Sequence, residues 1–520
     1  MSKRKKIWLG AIAALVLLLA LGAYIAASII AKRFEPMLRE QAIEYLQNRF
    51  HADVELAALH LNRPKMSTVQ ILLRHGRGAL VTVQGEGLAM WLGGDRSRPP
   101  LFRIQKVAFT VDLGVLFEPK KSVNFVSLDG MEINVPPKGE RRSWSGGPNP
   151  NVIIQNVQIQ NAVLVLLPKD TGKQPLRFHV ARLHLQSVGV NSAMRYDADL
   201  TIPKPPGDVK SGGNFGPWDA SEPGDTPLQG NYTFDNADLG VFAAIAGTLS
   251  SKGTFDGSLN SVNARGTTYV PDFRLKMSGN PLALSTTFEA QVDGTNGNTI
   301  LKPVRATLGH TNFTTTGAVI KREDYERRGI DLDVTMPNGD MRDLLRLAMK
   351  GPPFMEGFIT MKSSIEIPPL DSKVKQKLVL DGSFDLHNAK FLKSTIQDQI
   401  DQLSRRGQGH PKDQGIDEVV SKMEGSFHLE NQVMTFRSLA FQVPGAAVSV
   451  AGNYNLNDGM LDFHGALSLD AKISQTVTGW KHWLLKPVDP FFAKNGAGTY
   501  LKIEITGDAH HPRFGLDRGH

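Results

Sequence analysis

Leu378-Val-Leu380-Asp-Gly382-Ser-Phe384-Asp-Leu386 alternates apolar with mostly polar residues, and one glycine interrupts its apolar row. A period of two places Leu378, Leu380, Gly382, Phe384 and Leu386 on one face of a strand, with Asp381, Ser383 and Asp385 on the other. The signature returns as Met423-Glu-Gly425-Ser-Phe427-His-Leu429, as Val448-Ser-Val450-Ala-Gly452-Asn-Tyr454, and as Leu461-Asp-Phe463-His-Gly465-Ala-Leu467. Gly253-Thr-Phe255-Asp-Gly257-Ser-Leu259 and Leu501-Lys-Ile503-Glu-Ile505-Thr-Gly507 are looser copies. Their spacing is uneven, so they are a recurring strand type, not a repeat unit. A glycine inside a strand marks a bend, a bulge or a close approach. Sheet curvature is one reading; room on the apolar face for an acyl chain is a second, compatible one.

Earlier strands lack the glycine. Val107, Phe109, Val111 and Leu113 alternate with Ala108, Thr110 and Asp112, and Val157, Ile159, Asn161, Val163, Val165 and Leu167 form another such row. Strands with one apolar and one polar face belong to an antiparallel sheet covered on one side. The predicted fold class is mainly β: an elongated, curved antiparallel groove with a few short capping helices. With 50 glycines, 30 prolines and 21% charged residues in 520, the composition favours strands and turns over helical bundles. The absence of cysteine excludes disulfides, thiolate metal sites and a cysteine nucleophile.

Working towards the N-terminus, Phe34–Phe50 carries an apolar helical face (Phe34, Met37, Leu38, Ala42, Tyr45, Leu46, Phe50), which predicts a helix docked on a sheet or lying on a membrane. Before it, Ile7 to Ile30 is an uncharged run that would span about 36 Å as a helix, long enough to cross a bilayer. Ala26, Ala27 and Ser28 would suit a cleaved signal peptide, whose apolar region is shorter. Lys3, Arg4, Lys5 and Lys6 precede the run, which keeps the N-terminus cytoplasmic and translocates the rest. The net charge of +8 is concentrated here. Outside residues 1–33, 53 basic residues face 51 acidic ones, so no nucleic-acid footprint is expected.

Residues 136–151, 203–227 and 404–415 read as exposed loops, the second as the best domain boundary. Short helices are predicted near 238–246, 340–349, 394–405 and 474–485. Trp480, Trp483, Phe491 and Phe492 beside Lys481, Lys486 and Lys494 suit either a membrane interface or a cap over a sheet end.

The sequence holds no HExxH, phosphate-binding loop or G-x-S-x-G nucleophile elbow. No catalytic residue, metal site or cofactor is expected, and His510-His511 reads as a solvated turn. Asp256 with Asp272 could be imagined as a glycosidase pair, but scattered aspartates at strand ends are normally turn formers.

As a whole the pattern resembles the AsmA-like family of inner-membrane-anchored, periplasm-facing proteins. The likeness rests on the basic N-terminus, span and helix leading into His51-Ala-Asp-Val-Glu-Leu56. It rests also on Ile159-Gln-Asn-Ala-Val-Leu-Val165 with Phe178-His-Val-Ala-Arg-Leu183, and on Thr478-Gly-Trp480, Gly496-Ala-Gly498 and Pro512-Arg-Phe-Gly-Leu-Asp517. The resemblance implies an anchor over 1–33, a helix over 34–50, and a β-groove in two parts, 51–203 and 228–517. It implies phospholipid as ligand, moved between inner and outer membranes, and a link with outer-membrane biogenesis and protein targeting. The chain is short for the family's bridging members, which implies a protein partner or oligomer reaching the outer membrane. Candidate lining residues are Val157, Ile159, Val163, Leu380, Phe384, Val450, Phe463 and Leu467. The alternative is a scaffold for outer-membrane protein assembly that carries no lipid; a periplasmic enzyme is the weakest reading.

Overall fold

In the computed structural model, the described residues are 34–517 except 63–65, 67–69, 71–72, 76, 113, 115–120, 137–151, 168–174, 190–191, 218, 220–221, 295, 322–327, 370–373, 414–417, 478–485, 490–497 and 510. The Ile7–Ile30 run and the Trp480–Phe492 aromatic cluster therefore lie outside them. Among the described residues no helix is long and apolar enough to cross a membrane.

The chain is mainly β. Helix α1 (Phe34–Phe50) is followed by β1 (Ala52–Glu55), β2 (Ala58–Asn62), β3 (Leu80–Leu92), β4 (Phe102–Asp112), β5 (Lys121–Val135), β6 (Val152–Leu166), β7 (Leu176–Val188), β8 (Met194–Pro203), β9 (Pro206–Phe215) and β10 (Pro227–Asp238). Next come β11 (Ile245–Ala246), β12 (Thr248–Ser258), β13 (Ser261–Leu275), β14 (Leu282–Val292), β15 (Thr299–Leu308), β16 (Thr311–Lys321) and β17 (Arg328–Asp340). Helix α2 (Met341–Ala348), β18 (Met355–Ile367), β19 (Val379–Phe391) and helix α3 (Ser394–Gly407) lead to β20 (Ser421–Glu430), β21 (Val433–Val443), β22 (Ala446–Asn455), β23 (Met460–Leu469), β24 (Thr499–Asp508) and β25 (His511–Leu516). The 25 strands are hydrogen-bonded as one sheet. The chain divides into two compact units: 34–238 with 249–266 and 292–296, and the remainder.

In the first unit β1 and β2 pair in succession with β3, and β3 to β10 then follow in chain order. One pairing departs from the antiparallel expectation. Strands β5 and β6 run parallel, Lys121 opposite Val152 and Val135 opposite Leu166, an arrangement that needs a crossover instead of a hairpin. Residues 203–227 also depart from the loop reading. Ten of its 25 residues form β9, paired with β8 and β10. The alternating row of β9 is Gly207, Val209, Ser211, Gly213 and Phe215, too poor in bulky apolar residues to be told from a loop by composition.

The core of this unit packs α1 against the sheet. Ala42 and Leu46 of α1 join Val54, Val81, Phe109, Val126, Val157 and Ile159 in one buried cluster. The helix thus docks on protein. The predicted row through Val157, Ile159 and Val163 breaks at Asn161, whose φ is 51°. The cluster holds Val157 and Ile159 before Asn161 and Ala162 after it, with Leu164 packed on it; on the other face Val163 is half-buried and Val165, 1% exposed, is buried outside that cluster. The break is shared by neighbours. Gly130 (φ 64°) lies between the pairs Asp129↔Gln160 and Glu132↔Val163, and Gly87 (φ 64°) between Glu86↔Lys106 and Leu88↔Ile104. Buried positions switch phase at the same line in β4 (Phe102, Ile104, then Val107, Phe109) and β5 (Val126, Leu128, then Met131, Ile133). A left-handed residue advances the pleat by one step, and because strands change together their register survives.

In the second unit β15 to β25 form a meander, each strand antiparallel to the next. Asp340 caps α2 by accepting the Arg342 amide hydrogen, and Arg342 holds the Asp340 carboxyl below the usual carboxylate range. The helices predicted near 340–349 and 394–405 are α2 and α3. The one predicted near 238–246 is only a 3-10 turn, Leu239–Val241, with Gly240 at its centre. That near 474–485 begins as a turn, Ile473–Thr476, and from residue 478 onward it lies outside the described residues.

Asn161 tolerates the left-handed conformation because its short side chain donates to Asp129 Oδ1 at 2.8 Å. Asn161→Val is expected to destabilise the protein by about 1–2 kcal/mol and Asn161→Gly to be near neutral. Urea unfolding monitored by circular dichroism checks both.

Candidate functional site

The apolar faces of β18 to β24 stack into four cross-strand rows. The first runs Ile359–Leu386–Met423–Phe441–Val448–Leu467–Leu501, and the second Met361–Phe384–Gly425–Leu439–Val450–Gly465–Ile503. The third runs Ser363–Gly382–Phe427–Phe436–Gly452–Phe463–Ile505, and the fourth Ile365–Leu380–Leu429–Met434–Tyr454–Leu461–Gly507. Strand β25 extends the second and third rows with Leu516 and Phe514. Side chains alternate across a strand, so correct register is what turns seven separate patterns into one surface.

Within the second and third rows, glycines oppose large residues on the next strand. A Cβ on Gly382 would lie 2.8 Å from Phe427 Cζ, and one on Gly425 3.1 Å from Phe384 Cε1. The rings of Phe384 and Phe427 lie 6.3 Å apart, and those of Phe436 and Phe463 5.7 Å apart, both tilted pairs. At Gly382 and Gly425 the space left by the missing side chain is thus taken by a neighbouring ring, not left for a guest. Gly452 is tighter still, since its Cβ would meet the Asp462 carbonyl at 2.1 Å.

Cover is uneven across the face. Leu386, 1% exposed, and Met423 pack with Leu345 of α2, while Ile400 and Leu403 of α3 pack with Phe441, Val443 and Ala446. The helices therefore cap the first row and the β18–β19 end of the second. Most of the third and fourth rows belongs to no core cluster among the described residues. Leu380, Phe427, Met434, Phe436, Tyr454 and Leu461 are each half-buried. At the end of the face Phe514 is 76% exposed and Leu516 55%.

Five of the eight candidate lining residues meet on this surface: Leu467 in the first row, Phe384 and Val450 in the second, Phe463 in the third and Leu380 in the fourth. Val450 and Phe463 are buried by their neighbours. The other three lie in β6 of the first unit, where Val157 and Ile159 are 4% and 5% exposed inside the α1 core. Phe427 lies in one of the predicted strand runs but was not among the lining candidates, and Met434 and Phe436 lie on β21, over which no strand was predicted. The position of all three beside Leu380 and Phe463 depended on strand pairing.

The chain has no significant match to a family model, to a curated protein or to a solved structure. Its site is therefore read from its own geometry.

The opposite face is charged. Arg437 donates to Asp381 Oδ2 at 2.6 Å, His428 Nδ1 lies 3.1 Å from the same oxygen, and Lys422 bridges Asp385 and Glu424. Buried carboxylates have structural partners. Asp401 accepts the backbone N–H groups of Glu418 and Val419 at 3.0 and 2.9 Å and a Gln397 Nε2–H at 2.8 Å, tying α3 to the start of β20. Asp489 does the same for Ser474.

Two donor clusters have spacing that could admit a cation among the described residues: His310 with Asp340 and Asp343, and His464 with Glu504 and Asp517. In the first, Asp343 already accepts the His310 amide hydrogen at 2.7 Å and the Thr311 hydroxyl at 3.1 Å, which closes the β15–β16 turn. In the second, His464 lies between Asp462 and Asp517. The aspartates of both clusters thus already have protein partners.

Gly452→Ala is expected to cost about 1–3 kcal/mol through overpacking against the β23 backbone. Gly351→Ala, with nothing within 4 Å of its Cβ, is expected to be neutral. Thermal unfolding of the two variants side by side reads the difference.

Proposed function

We propose that this chain is an AsmA-like, inner-membrane-anchored periplasmic protein that holds phospholipid acyl chains on the apolar face of β18–β24. In this reading Ile7–Ile30 is the anchor, the N-terminus is cytoplasmic, and the protein passes phospholipid between the inner and outer membranes. Outer-membrane biogenesis depends on that transfer, a partner or second copy completes the path, and no catalysis is involved.

The observation that carries the reading is the half-buried state of the third and fourth rows. Apolar side chains in register across seven strands form a surface that no described helix covers, backed by a charged opposite face. A surface of this kind matches an acyl chain in chemistry, because it offers many weak contacts and needs no polar ligand. Covering about five methylenes would contribute roughly 4 kcal/mol. The occupied space lies over the rows, since Gly382 and Gly425 are covered by neighbouring rings and Gly452 and Gly465 by close backbone.

One observation favours the second reading, a scaffold for outer-membrane protein assembly and targeting that carries no lipid. The face of β3–β6 is filled by its own residues and α1, so that part of the sheet offers no surface to a guest.

Purified full-length protein, extracted with organic solvent and analysed by mass spectrometry, is expected to yield phospholipid. Leu380→Asp and Met434→Asp are expected to lower lipid occupancy several-fold while the protein stays folded; Ser383→Asp, on the opposite face, is expected to leave it unchanged. Protein that is lipid-free, or equal occupancy in all variants, removes the carrier reading and leaves the scaffold.

A further inference from the structure

Strand β25 is secured unlike the strands before it. It spans only His511–Leu516 and pairs with β24, and five of its six residues are exposed. What crosses to it from the far side of β24 is His464. This residue lies on β23 directly opposite Glu504, and Glu504 lies opposite Gly515 on β25. Gly515 has no side chain to obstruct the crossing: its Cβ would meet Glu504 Oε1 at 2.7 Å. His464 Nδ1 reaches Asp517 Oδ2 at 3.4 Å, just beyond the end of β25, and its Nε2 lies 3.1 Å from Asp462 Oδ1. The Asp517 amide donates to the Lys502 carbonyl at 3.1 Å, which makes Asp517 the last anchor of the ladder.

We infer that His464 is a pH-sensitive clamp that fastens the C-terminal strand β25 to the sheet. The charged groups nearest the imidazole in strand register are Asp462 on its own strand, Glu504 and Lys502 on β24, Arg513 on β25 and Asp517 just beyond it. From β22 it meets only Ala451, flanked by Asn453 and Ser449. Both ring nitrogens can donate only in the imidazolium, and both have a carboxylate in reach. Neutral imidazole leaves one of those contacts without a donor and three carboxylates around an uncharged ring.

Asp517 and then Asp462 raise the His464 pKa above its ordinary value. A raised folded-state value means that the clamp is complete below about pH 6.5, the unperturbed value, and is lost as pH rises through the folded midpoint. The groups are solvent-exposed, so the effect is local to the edge strand and is screened by salt. Because β25 carries Phe514 and Leu516, the clamp sets whether the second and third apolar rows keep their last residues. The inference concerns strand order and holds whatever occupies the face.

The test is hydrogen exchange of the full-length protein between pH 5.5 and 8.5, corrected for the intrinsic pH dependence of exchange. Opening at the Gly515 and Asp517 amides is expected to rise several-fold across the His464 midpoint, and to lose that pH dependence in His464→Gln. Flat protection in the unsubstituted protein, or an unaltered pH dependence in His464→Gln, overturns the clamp. A second readout does not depend on strand opening. In spectra of 13C-labelled histidine, with His464 assigned by its loss in His464→Gln, the midpoint is expected to fall in Asp517→Asn; an unchanged midpoint also overturns it.

Discussion

Close approach of neighbouring strands is the constraint on which the second unit depends. At Gly452 and Gly465 the adjacent backbone is near enough that any β-carbon would collide with a carbonyl oxygen, at 2.1 and 2.0 Å. The residues opposite those glycines are Phe436 and Phe463 for one, and Val450 and Ile503 for the other. Large and absent side chains therefore alternate from strand to strand. This arrangement lets rings lie over neighbouring backbone without crowding and pins the register, because a slip by one residue would place a side chain where only hydrogen fits. The same pairing of aromatic residue and glycine recurs in the first unit, where Gly230 sits under Tyr196 and Phe255. There burial pushes the Tyr196 phenol up, while its hydrogen bond with Ser211 opposes the shift.

The two units solve the problem of an apolar sheet face differently. In the first, α1 lies against β1 and β2 and its Ala42 and Leu46 complete a dry cluster that reaches β6. In the second, α2 and α3 are short and sit toward one end of the strands, held by Asp343 and Asp401. Asp343 receives the His310 amide and the Thr311 hydroxyl, and Asp401 the amides of Glu418 and Val419, a use of buried charge that stabilises only while the donors stay in place. The rows beyond the reach of these helices are what make an acyl-chain ligand chemically sensible.

The line of left-handed residues through Gly87, Gly130 and Asn161 illustrates how tertiary context redirects a strand. Each position alone would be a bulge that disturbs its ladder. Set side by side, they move the buried set of several strands by one residue together, and no hydrogen-bond register is lost.

Much of the architecture was legible in the residues alone. The period-two runs predicted strands over β4, β6, β19, β20 and β22–β24, and the apolar face of Phe34–Phe50 predicted α1, because alternation and helical periodicity are local properties of the chain; β21 was not read, since its bulge between Phe436 and Leu439 breaks the alternation. Leu380, Phe384, Val450, Phe463 and Leu467 were readable as inward-facing for the same reason. The sequence could not say that Val157 and Ile159 lie under a helix while Leu380 does not, since cover is supplied by residues distant in the chain. Nor could it place Val163 off the core, because asparagine adopts either hand of backbone and only the paired glycine at 130 shows which was taken. Strand β9 was missed because a row of glycine, serine and one valine resembles a loop until neighbours hydrogen-bond to both its edges. Tertiary structure alone decided which apolar rows are closed, because exposure is a property of what packs on a surface and not of the residues that form it.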